Sequence, residues 1–94
     1  MTANLIGQVA ERFRALGEPA RLQILHALCD GERCVGDLEA DTGLNQANLS
    51  RHLQVLAASG FVKRQKEGLY VYYDLADANV LRLCELMCAR IATA

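Results

Sequence analysis

The spacing of apolar side chains predicts three helices in the first half of the chain. Over residues 4–16 they recur every three or four positions, which places them on one face of an α-helix. The same spacing predicts a second helix from Pro19, a residue suited to a first helical turn, to about Cys29. A short third helix follows from Cys34 to the turn at residues 41–43. We therefore expect no strand in this half.

In the second half of the chain the apolar residues first have the spacing of a helix and then that of β-strands. Asn45 is a good N-cap for a fourth helix, which carries a stripe of leucines and ends at Gly60. From residue 61 the chain is rich in aromatic and branched residues on both sides of a turn at residues 67–68, which predicts a β-hairpin. A fifth helix is predicted from Asp77, with apolar residues along one face.

These elements predict a single domain over residues 1–94, since no linker, repeat or low-complexity segment divides the chain. The fold class is mainly α with a small β-hairpin wing. Its five helices and two antiparallel strands give the winged helix-turn-helix layout. A hydrophobic fraction of 52% is at the upper edge for globular proteins, and chains this short often gain stability by oligomerising. We therefore expect part of the apolar surface to be reserved for a partner.

The net charge of −1 hides a basic segment. Residues 1–43 carry four arginines against seven acidic residues, and residues 69–94 carry two arginines against three acidic residues. Residues 44–68 carry four basic residues against Glu67 alone. The positive charge is thus concentrated on the fourth helix and the hairpin, which indicates an anionic partner there.

The outward face of the fourth helix is built from small, amide, hydroxyl and guanidinium groups. At about 100° per residue, a leucine stripe that faces the core turns Ala47, Ser50 and Arg51 outward. Asn48 lies on the flank, and Gln46 lies at the exposed N-terminal tip. In the major groove an arginine can fork onto guanine and an amide onto adenine, and the first residues of a recognition helix reach base edges. This face therefore predicts binding to double-stranded DNA.

Three basic residues on the predicted hairpin extend this surface: Lys63, Arg64 and Lys66. On DNA they would meet phosphates or the minor groove, contacts that position a protein without specifying sequence. Polar groups are common on any exposed helix, and lysines are common at any hairpin tip. The layout as a whole, rather than the composition, therefore favours DNA binding.

Four stretches of the sequence, in the correct order and spacing, resemble the ArsR/SmtB family of bacterial winged-helix repressors. They are LGEPARLQIL (16–25), ERCVGDL (32–38), LNQANLSRHL (44–53) and GLYVYYDL (68–75). The resemblance covers nearly the whole chain. It implies a homodimer joined through the first and last helices, which binds an operator with two-fold symmetry until an effector releases it.

The same resemblance assigns DNA contacts to the fourth helix. It implies that Gln46, Ser50 and Arg51 fall where family members touch DNA. His52 follows the same match, but the helical wheel places it nearer the leucine stripe. His52 can therefore either contact DNA or pack in the core, and the sequence does not decide between these two roles.

The sensing sites of the family fit this chain only in part. The zinc-binding type begins with an acidic residue and a histidine two positions later, whereas Asp77 is followed there by Asn79. The type that senses arsenic and soft metals often has Cys-Val-Cys-Asp-Leu, whereas this chain has Gly36 as the third residue of that motif. A histidine-rich zinc site is therefore not expected, and the paired thiol site lacks one ligand.

Four cysteines remain as candidate effector-sensing residues. Cys84 and Cys88 share one face of the predicted fifth helix, so they could hold a soft ion with a third ligand, for which Cys34 is the candidate. A bridge from Cys29 or Cys34 to the last helix is the alternative. Some family members sense oxidants or persulfides through one cysteine near the second helix and another on the last. Free cysteine also packs as a small hydrophobe, so a structural role stays open for each.

These features favour a dimeric repressor whose effector is sensed through cysteines. We favour a reactive sulfur species or oxidant, because the paired thiol motif is incomplete. Arsenite or a soft metal ion is the alternative effector. A winged-helix regulator that responds to no effector, or a module for protein interaction, is the alternative kind of protein. Without Cys-x-x-Cys or a glycine-rich phosphate loop, an enzyme is not expected. We expect a cytoplasmic protein with no membrane partner, since no signal peptide or spanning segment is evident.

Overall fold

Five helices and three short strands make up residues 1–93, the part of the chain that the computed structural model describes. In chain order they are α1 (Ala3–Leu16), α2 (Pro19–Ala27), β1 (Arg33–Cys34), α3 (Val35–Thr42), α4 (Gln46–Ala58), β2 (Val62–Glu67), β3 (Tyr70–Leu75) and α5 (Asn79–Ala92). The strands form one antiparallel sheet in the order β1-β3-β2. The predicted winged helix-turn-helix layout is confirmed.

The structure adds one strand that the apolar pattern does not predict. The pattern starts the third helix at Cys34, but Arg33 and Cys34 pair with Tyr73 and Tyr72 of β3, and α3 begins at Val35. Two residues are too few to show the alternation of a strand, and their pairing depends on a segment far along the chain. This short strand ties the start of α3 to the sheet.

The turn between α3 and α4 is held by local hydrogen bonds. Gly43 ends α3 with φ = +73°, a left-handed conformation that is costly for residues with a Cβ. The Thr42 hydroxyl donates to the carbonyl oxygen of Leu38 at 2.6 Å and accepts from the N–H of Leu44 at 3.3 Å. These contacts set the direction in which α4 leaves the turn.

The core lies between α2, α3, α4 and the sheet. The leucine stripe of α4 is fully buried, as its spacing predicts. Fully burying one large aliphatic side chain stabilises a protein by about 1.5–3 kcal/mol. This cluster therefore anchors α4 firmly; its buried members are Ile24, Leu25, Leu28, Leu38, Leu49, Leu53, Leu56, Val62, Tyr73 and Val80.

Two helices, α1 and α5, lie at the edge of this core and keep much of their apolar surface exposed. Each contributes one fully buried residue, Ala15 from α1 and Val80 from α5. Large exposed apolar patches are typical of interaction sites. The large exposed apolar residues on the two helices are Leu5, Ile6, Phe13, Leu83, Leu86, Met87 and Ile91. None of the helices within residues 1–93 is both long and apolar enough to cross a membrane.

The wing is the antiparallel hairpin of β2 and β3, closed by a two-residue turn of Gly68 and Leu69. Gly68 has φ = +61° at the first turn position, where a type II′ hairpin turn requires glycine. Val62 at the base of the wing is buried, whereas the rest of β2 is exposed. The wing thus extends from the body with its tip in solvent.

Candidate functional site

The N-terminal half of α4 presents the polar groups that the sequence predicts for DNA binding. Asn45 caps the helix, because its side-chain oxygen accepts a hydrogen bond from the N–H of Asn48 at 2.9 Å. Leu49 and Leu53 face the core, so the other side of the helix is exposed. We call this exposed side the recognition face; it consists of Gln46, Ala47, Asn48, Ser50 and Arg51.

Arg51 is partly ordered before it meets any partner. Its Nη2 donates to Asn48 Oδ1 at 3.3 Å, as expected for residues three positions apart on a helix. Ordering a long side chain costs conformational entropy, and this contact offsets part of that cost before binding. The remaining N–H donors of the guanidinium stay available for a base edge or a phosphate.

His52, the other residue predicted on this helix, lies on the core side. It is 4% exposed, and its Nδ1 accepts a hydrogen bond from Arg21 Nε at 3.1 Å. An accepting Nδ1 requires the neutral ring with its proton on Nε2. Burial, followed by the positive charges of Arg51 and Arg21, lowers the pKa of His52 from its ordinary value of 6.5. The structure therefore places His52 in the interior, away from the recognition face.

The three basic residues predicted on the wing are exposed, but they lie on two sides of the hairpin. Because side chains alternate along a strand, Arg64 and Lys66 share the face of Val62. Lys63 lies on the other face, directly opposite Asp74 of β3. Arg64 and Lys66 thus supply most of the positive field beside α4.

A shallow groove of about 160 Å³ lies between α4 and the wing. It is lined by Gln46 and Ser50 of the recognition face and by Arg64 of β2. The buried side chains of Leu53 and Tyr73 form its floor. The structure therefore brings the recognition face and the wing together as one surface, with Arg64 at the junction.

The width of an α-helix suits the major groove of double-stranded DNA. An α-helix with its side chains is about 10–12 Å wide, and the major groove of B-DNA is about 12 Å wide. The recognition face carries no carboxylate that would repel phosphates. α4 therefore has the width and the charge that such a groove requires.

Cys29 has an exposed thiol at the end of α2, on the wall of an open cavity of about 330 Å³. His26, Arg33 and Asp41 also line this cavity. Arg33 Nε lies 3.8 Å from Asp41 Oδ2, and it is buried without a hydrogen-bond partner in residues 1–93. The Cys29 thiol is accessible to a small reagent, and the cavity around it contains a guanidinium and a carboxylate, those of Arg33 and Asp41.

Cys34 is held at the junction of β1 and α3. Its backbone pairs with Tyr72 of β3, and it occupies the N-cap position of α3 without a side-chain capping bond. The residue is half-buried. Cys34 is thus less accessible than Cys29, although only a few positions separate them.

The two cysteines of α5 lie one turn apart, as their spacing predicts. Cys84 is half-buried and Cys88 is exposed. Partial burial, followed by the nearby Cys88 and Glu85, raises the pKa of the Cys84 thiol above its ordinary value of 9.0. This shift disfavours the thiolate, which is the form that reacts or binds metal.

The four cysteines are free thiols. Within residues 1–93, no three side chains of the His, Cys, Asp and Glu types are grouped so that they could hold a metal ion. The structure thus brings Cys84 and Cys88 together but does not add Cys34 to them in one copy of the chain. The sensing roles of Cys29, Cys34, Cys84 and Cys88 stay predictions.

Arg21 is the residue of this region that the sequence analysis misses. It contacts His52 across 31 positions of the chain. Helical spacing and charge counts describe one element at a time, so they hold no signal for a bond between two helices. The angle at which α2 crosses α4 decides this contact.

The sequence matches one protein-family model and is similar to known bacterial regulators. A family model described as "Bacterial regulatory protein, arsR family" matches residues 18–64. A transcriptional repressor SmtB homolog of Synechocystis sp. is 39% identical over 83 residues, which cover 88% of this chain and 63% of that protein. The arsenical resistance operon repressor of Bacillus subtilis is 35% identical over 89 residues, which cover 92% of this chain and 85% of that one.

A solved structure has the same fold. It is the homodimeric winged helix-turn-helix DNA-binding domain (fragment 1–100) of Mb0332 from Mycobacterium bovis, a possible ArsR-family transcriptional regulator. It aligns with a TM-score of 0.85 and 39% identity, over 96% of this chain and 83% of that one. The fold and the order of elements around the recognition face are therefore shared with a natural DNA-binding domain.

Proposed function

The chain belongs to the arsR family of bacterial regulatory proteins, and from this premise we propose that it is a dimeric transcriptional repressor that binds operator DNA. The observation that carries the proposal is the joint surface of the recognition face and the wing, with Gln46, Ser50 and Arg64 around one groove. Its helical part offers hydrogen-bonding groups for base edges, and its strand part offers positive charge for phosphates. The residues that would read the base sequence are thus different from those that would position the protein on the phosphate backbone.

Two sets of residues contact DNA in this proposal. Gln46, Ser50 and Arg51 face base edges in the major groove, and Arg51 is the candidate for a bidentate contact with guanine. Ala47 and Asn48 complete the helical surface in the groove. Lys63, Arg64 and Lys66 of the wing neutralise phosphates, which adds affinity without sequence preference. His52 is buried, so in this proposal it does not touch DNA itself.

The exposed apolar faces of α1 and α5 are the proposed dimer interface. Phe13 is 59% exposed, and Met87 and Ile91 are 62% and 69% exposed, an unfavourable state for side chains of this size in a lone chain. The homodimeric state of the Mycobacterium bovis domain supports the same assembly here. A two-fold dimer presents two α4 helices, so its operator has two half-sites about one helical turn, or a multiple of it, apart.

A cysteine-based signal releases the repressor in this proposal. We favour a reactive sulfur species or oxidant that links or modifies one early cysteine and one cysteine of α5. The exposed thiols of Cys29 and Cys88 support this choice, because each is open to a small reagent. The modified dimer has to prefer a conformation in which the two α4 helices no longer match successive grooves, since only differential affinity shifts an equilibrium.

Arsenite or a soft metal ion is the alternative effector. Cys84 and Cys88 lie one turn apart and supply two thiols. The third ligand, for which Cys34 remains the candidate by residue type, would have to come from the second copy of the chain, because Cys34 does not join Cys84 and Cys88 within one copy. The similarity to the arsenical resistance operon repressor of Bacillus subtilis favours testing this alternative directly.

The DNA-binding part is tested with two variants and duplexes selected from a random-sequence library. Arg51→Ala is expected to weaken binding to the selected duplex about tenfold to a hundredfold and to relax base preference. Lys66→Ala is expected to weaken binding to selected and unrelated duplexes alike and to reduce the salt slope by about one. The affinities are measured by fluorescence anisotropy at several salt concentrations.

Arg14→Ala is the matched control, because Arg14 is an exposed arginine that pairs with Glu11 and belongs to α1, not to α4 or the wing. It is expected to bind DNA like the parent. If Arg51→Ala and Lys66→Ala also bind like the parent, the assigned surface is wrong.

The effector is tested by native mass spectrometry of the reduced protein under anaerobic conditions. The protein is measured untreated, with arsenite and with a persulfide donor, and each single Cys→Ser variant is measured in the same way. A gain of sulfur or a loss of two hydrogens that requires one early and one late cysteine supports the thiol signal. One bound ion that requires two or more cysteines supports the alternative. No mass change contradicts both and leaves the DNA-binding proposal standing.

A further inference from the structure

The guanidinium of Arg21 connects three helices. The residue lies in the first turn of α2. Its Nε donates to His52 Nδ1 of α4 at 3.1 Å, and its Nη1 donates to the carbonyl oxygen of Ala15 in α1 at 3.4 Å. Ala15 is 3% exposed and His52 is 4% exposed, so both acceptors belong to interior residues. Arg21 therefore bridges a helix of the proposed dimer interface and the helix that carries the recognition face.

The guanidinium of Arg21 can hold its two acceptors in a fixed relative orientation. A guanidinium is planar, and its donors point in fixed directions, so binding two acceptors sets their mutual orientation. Hydrogen bonds from a charged donor are also stronger than those between neutral groups. His52 directly follows Arg51 in the chain, so holding its ring restrains the rotation of α4 about its own axis. That rotation decides where Arg51 points.

We propose that Arg21 and His52 form a positioning pair that holds the recognition face at a fixed angle to α1. The proposal rests on the proposed function and deepens it, because it assigns sequence-specific binding to two residues that touch no DNA. In a dimer, any rotation of α4 is repeated in the second copy. Both half-sites are then missed together, while contacts between the wing and phosphates survive.

The pair also makes specific binding sensitive to acid. The charged groups that act on the ring are Arg21 and Glu18 at the start of α2 and Arg51 on α4. A proton on Nδ1 removes the acceptor of Arg21 and places a further positive charge beside two arginines. The bridge therefore opens as pH falls, and the neutral ring is the form that supports binding.

The experiment compares the selected duplex with an unrelated duplex at pH 7.5 and pH 5.5. Arg21→Met and His52→Leu keep the approximate size of each side chain but remove the donor or the acceptor. Each is expected to lose about tenfold in affinity for the selected duplex at pH 7.5 and less than twofold for the unrelated one. Because the two residues act through one bond, the double variant is expected to lose no more than the worse single variant.

His52→Gln separates the hydrogen bond from the titration. Its amide oxygen can still accept from Arg21, but it does not take up a proton in this pH range. It is expected to bind the selected duplex within about threefold of the parent at pH 7.5. As the pH falls below 6.5 and the ring of the folded parent begins to take up its proton, the parent should lose part of its preference for the selected duplex, and His52→Gln should retain it. Arg14→Met and His26→Leu, at exposed positions, are the controls for loss of charge and loss of a histidine.

Three binding results would overturn the positioning pair. They are unchanged affinity in both single variants, an equal loss on both duplexes, and losses that add in the double variant. A His52→Gln variant as weak as His52→Leu at pH 7.5 would also contradict it.

A measurement without DNA keeps this proposal separate from the proposed function. At pH 7.5, NMR of the ring nitrogens of the free protein should show the proton on Nε2 of His52 and a bare Nδ1. In Arg21→Met, the amide hydrogens of α4 should exchange faster than in the parent, while those of Arg14→Met should not. A proton on Nδ1, or unchanged exchange in Arg21→Met, overturns the pair whether or not the protein binds DNA. Failure of the parent to bind any duplex would contradict only the proposed function.

Discussion

At the scale of single residues, Arg51 and His52 show how two neighbours on one helix take opposite positions. Arg51 is exposed and bonds to Asn48, whereas His52 is buried and accepts a bond from Arg21. One step along an α-helix turns the side chain by about 100°. This rotation is enough to move a side chain from the recognition face to the face that packs against the core.

The stability of the protein should depend on the charge of His52. Because its pKa is lowered from 6.5 in the folded state, the unfolded chain takes up the proton first as pH falls. Well above pH 6.5 the ring is neutral in both states and adds no pH dependence to the stability. Below pH 6.5 the free energy of unfolding should fall, and the loss should level off below the folded pKa. Urea unfolding at pH 5.5, 6.5 and 7.5 measures this loss.

Two variants isolate the contribution of His52 from that of the carboxylates. His52→Gln should lose less stability than the parent between pH 7.5 and 5.5, because it removes the titrating ring. His26→Gln should follow the parent, since His26 is exposed at the end of α2. Identical profiles for His52→Gln and the parent would show that the ring does not titrate as described.

At the scale of elements, the turn between α3 and α4 controls how the recognition face is presented. Gly43 occupies the left-handed region, and Thr42 ties the end of α3 to the N–H of Leu44. Gly43→Ala should reduce the free energy of unfolding by roughly 1–2 kcal/mol, because a Cβ makes this conformation costly. No atom lies within 4 Å of the added Cβ, so the cost comes from the backbone and not from a clash. Urea unfolding at pH 7.5 measures it.

Gly36 offers the matched control for the same substitution. It lies inside α3 with ordinary helical geometry, and an added Cβ would again meet nothing within 4 Å. Gly36→Ala should therefore stabilise the protein by about 0.5 kcal/mol, since alanine favours a helix over glycine. Opposite signs at the two glycines are the expected result. Equal effects would mean that the conformation of Gly43 is not strained by a side chain.

At the scale of the whole molecule, the apolar faces of α1 and α5 make the proposed repressor depend on pairing. Met87→Glu should raise the dimer dissociation constant about a hundredfold or more, because an unpaired carboxylate would be buried between two copies. The same variant should lose binding to a selected duplex, since one copy reads only one half-site. Analytical ultracentrifugation measures the dimer, and fluorescence anisotropy measures the DNA affinity.

Leu69→Glu is the control for adding a charge at an exposed apolar residue. Leu69 is 96% exposed at the tip of the wing and belongs to neither α1 nor α5. This variant should remain dimeric. A dimeric Met87→Glu protein would rule out its side of α5 as the pairing face.

The helices of this protein could be predicted because each carries an apolar stripe and a clear terminator. The leucines of α4 show the period of one helix, and Asn45 and Gly60 mark its limits. The same helical wheel placed the recognition face in solvent. Local spacing was sufficient for these features because they depend on one element at a time.

The remaining features depend on how elements meet. β1 is only two residues long and exists because β3 lies beside it. The groove of Gln46, Ser50 and Arg64 depends on the angle between α4 and the wing. The pairing of Arg21 with His52 depends on the crossing of α2 and α4. Periodicity carries no information about such angles, so these contacts needed the three-dimensional structure.

The order of elements along the chain also decides what a single cut would separate. α4 and the wing precede α5, which carries one part of the proposed pairing face and the buried core residue Val80. A protease cut between the wing and α5 would therefore leave every residue proposed to contact DNA on one fragment. The same cut would place half of the proposed pairing face on the other fragment.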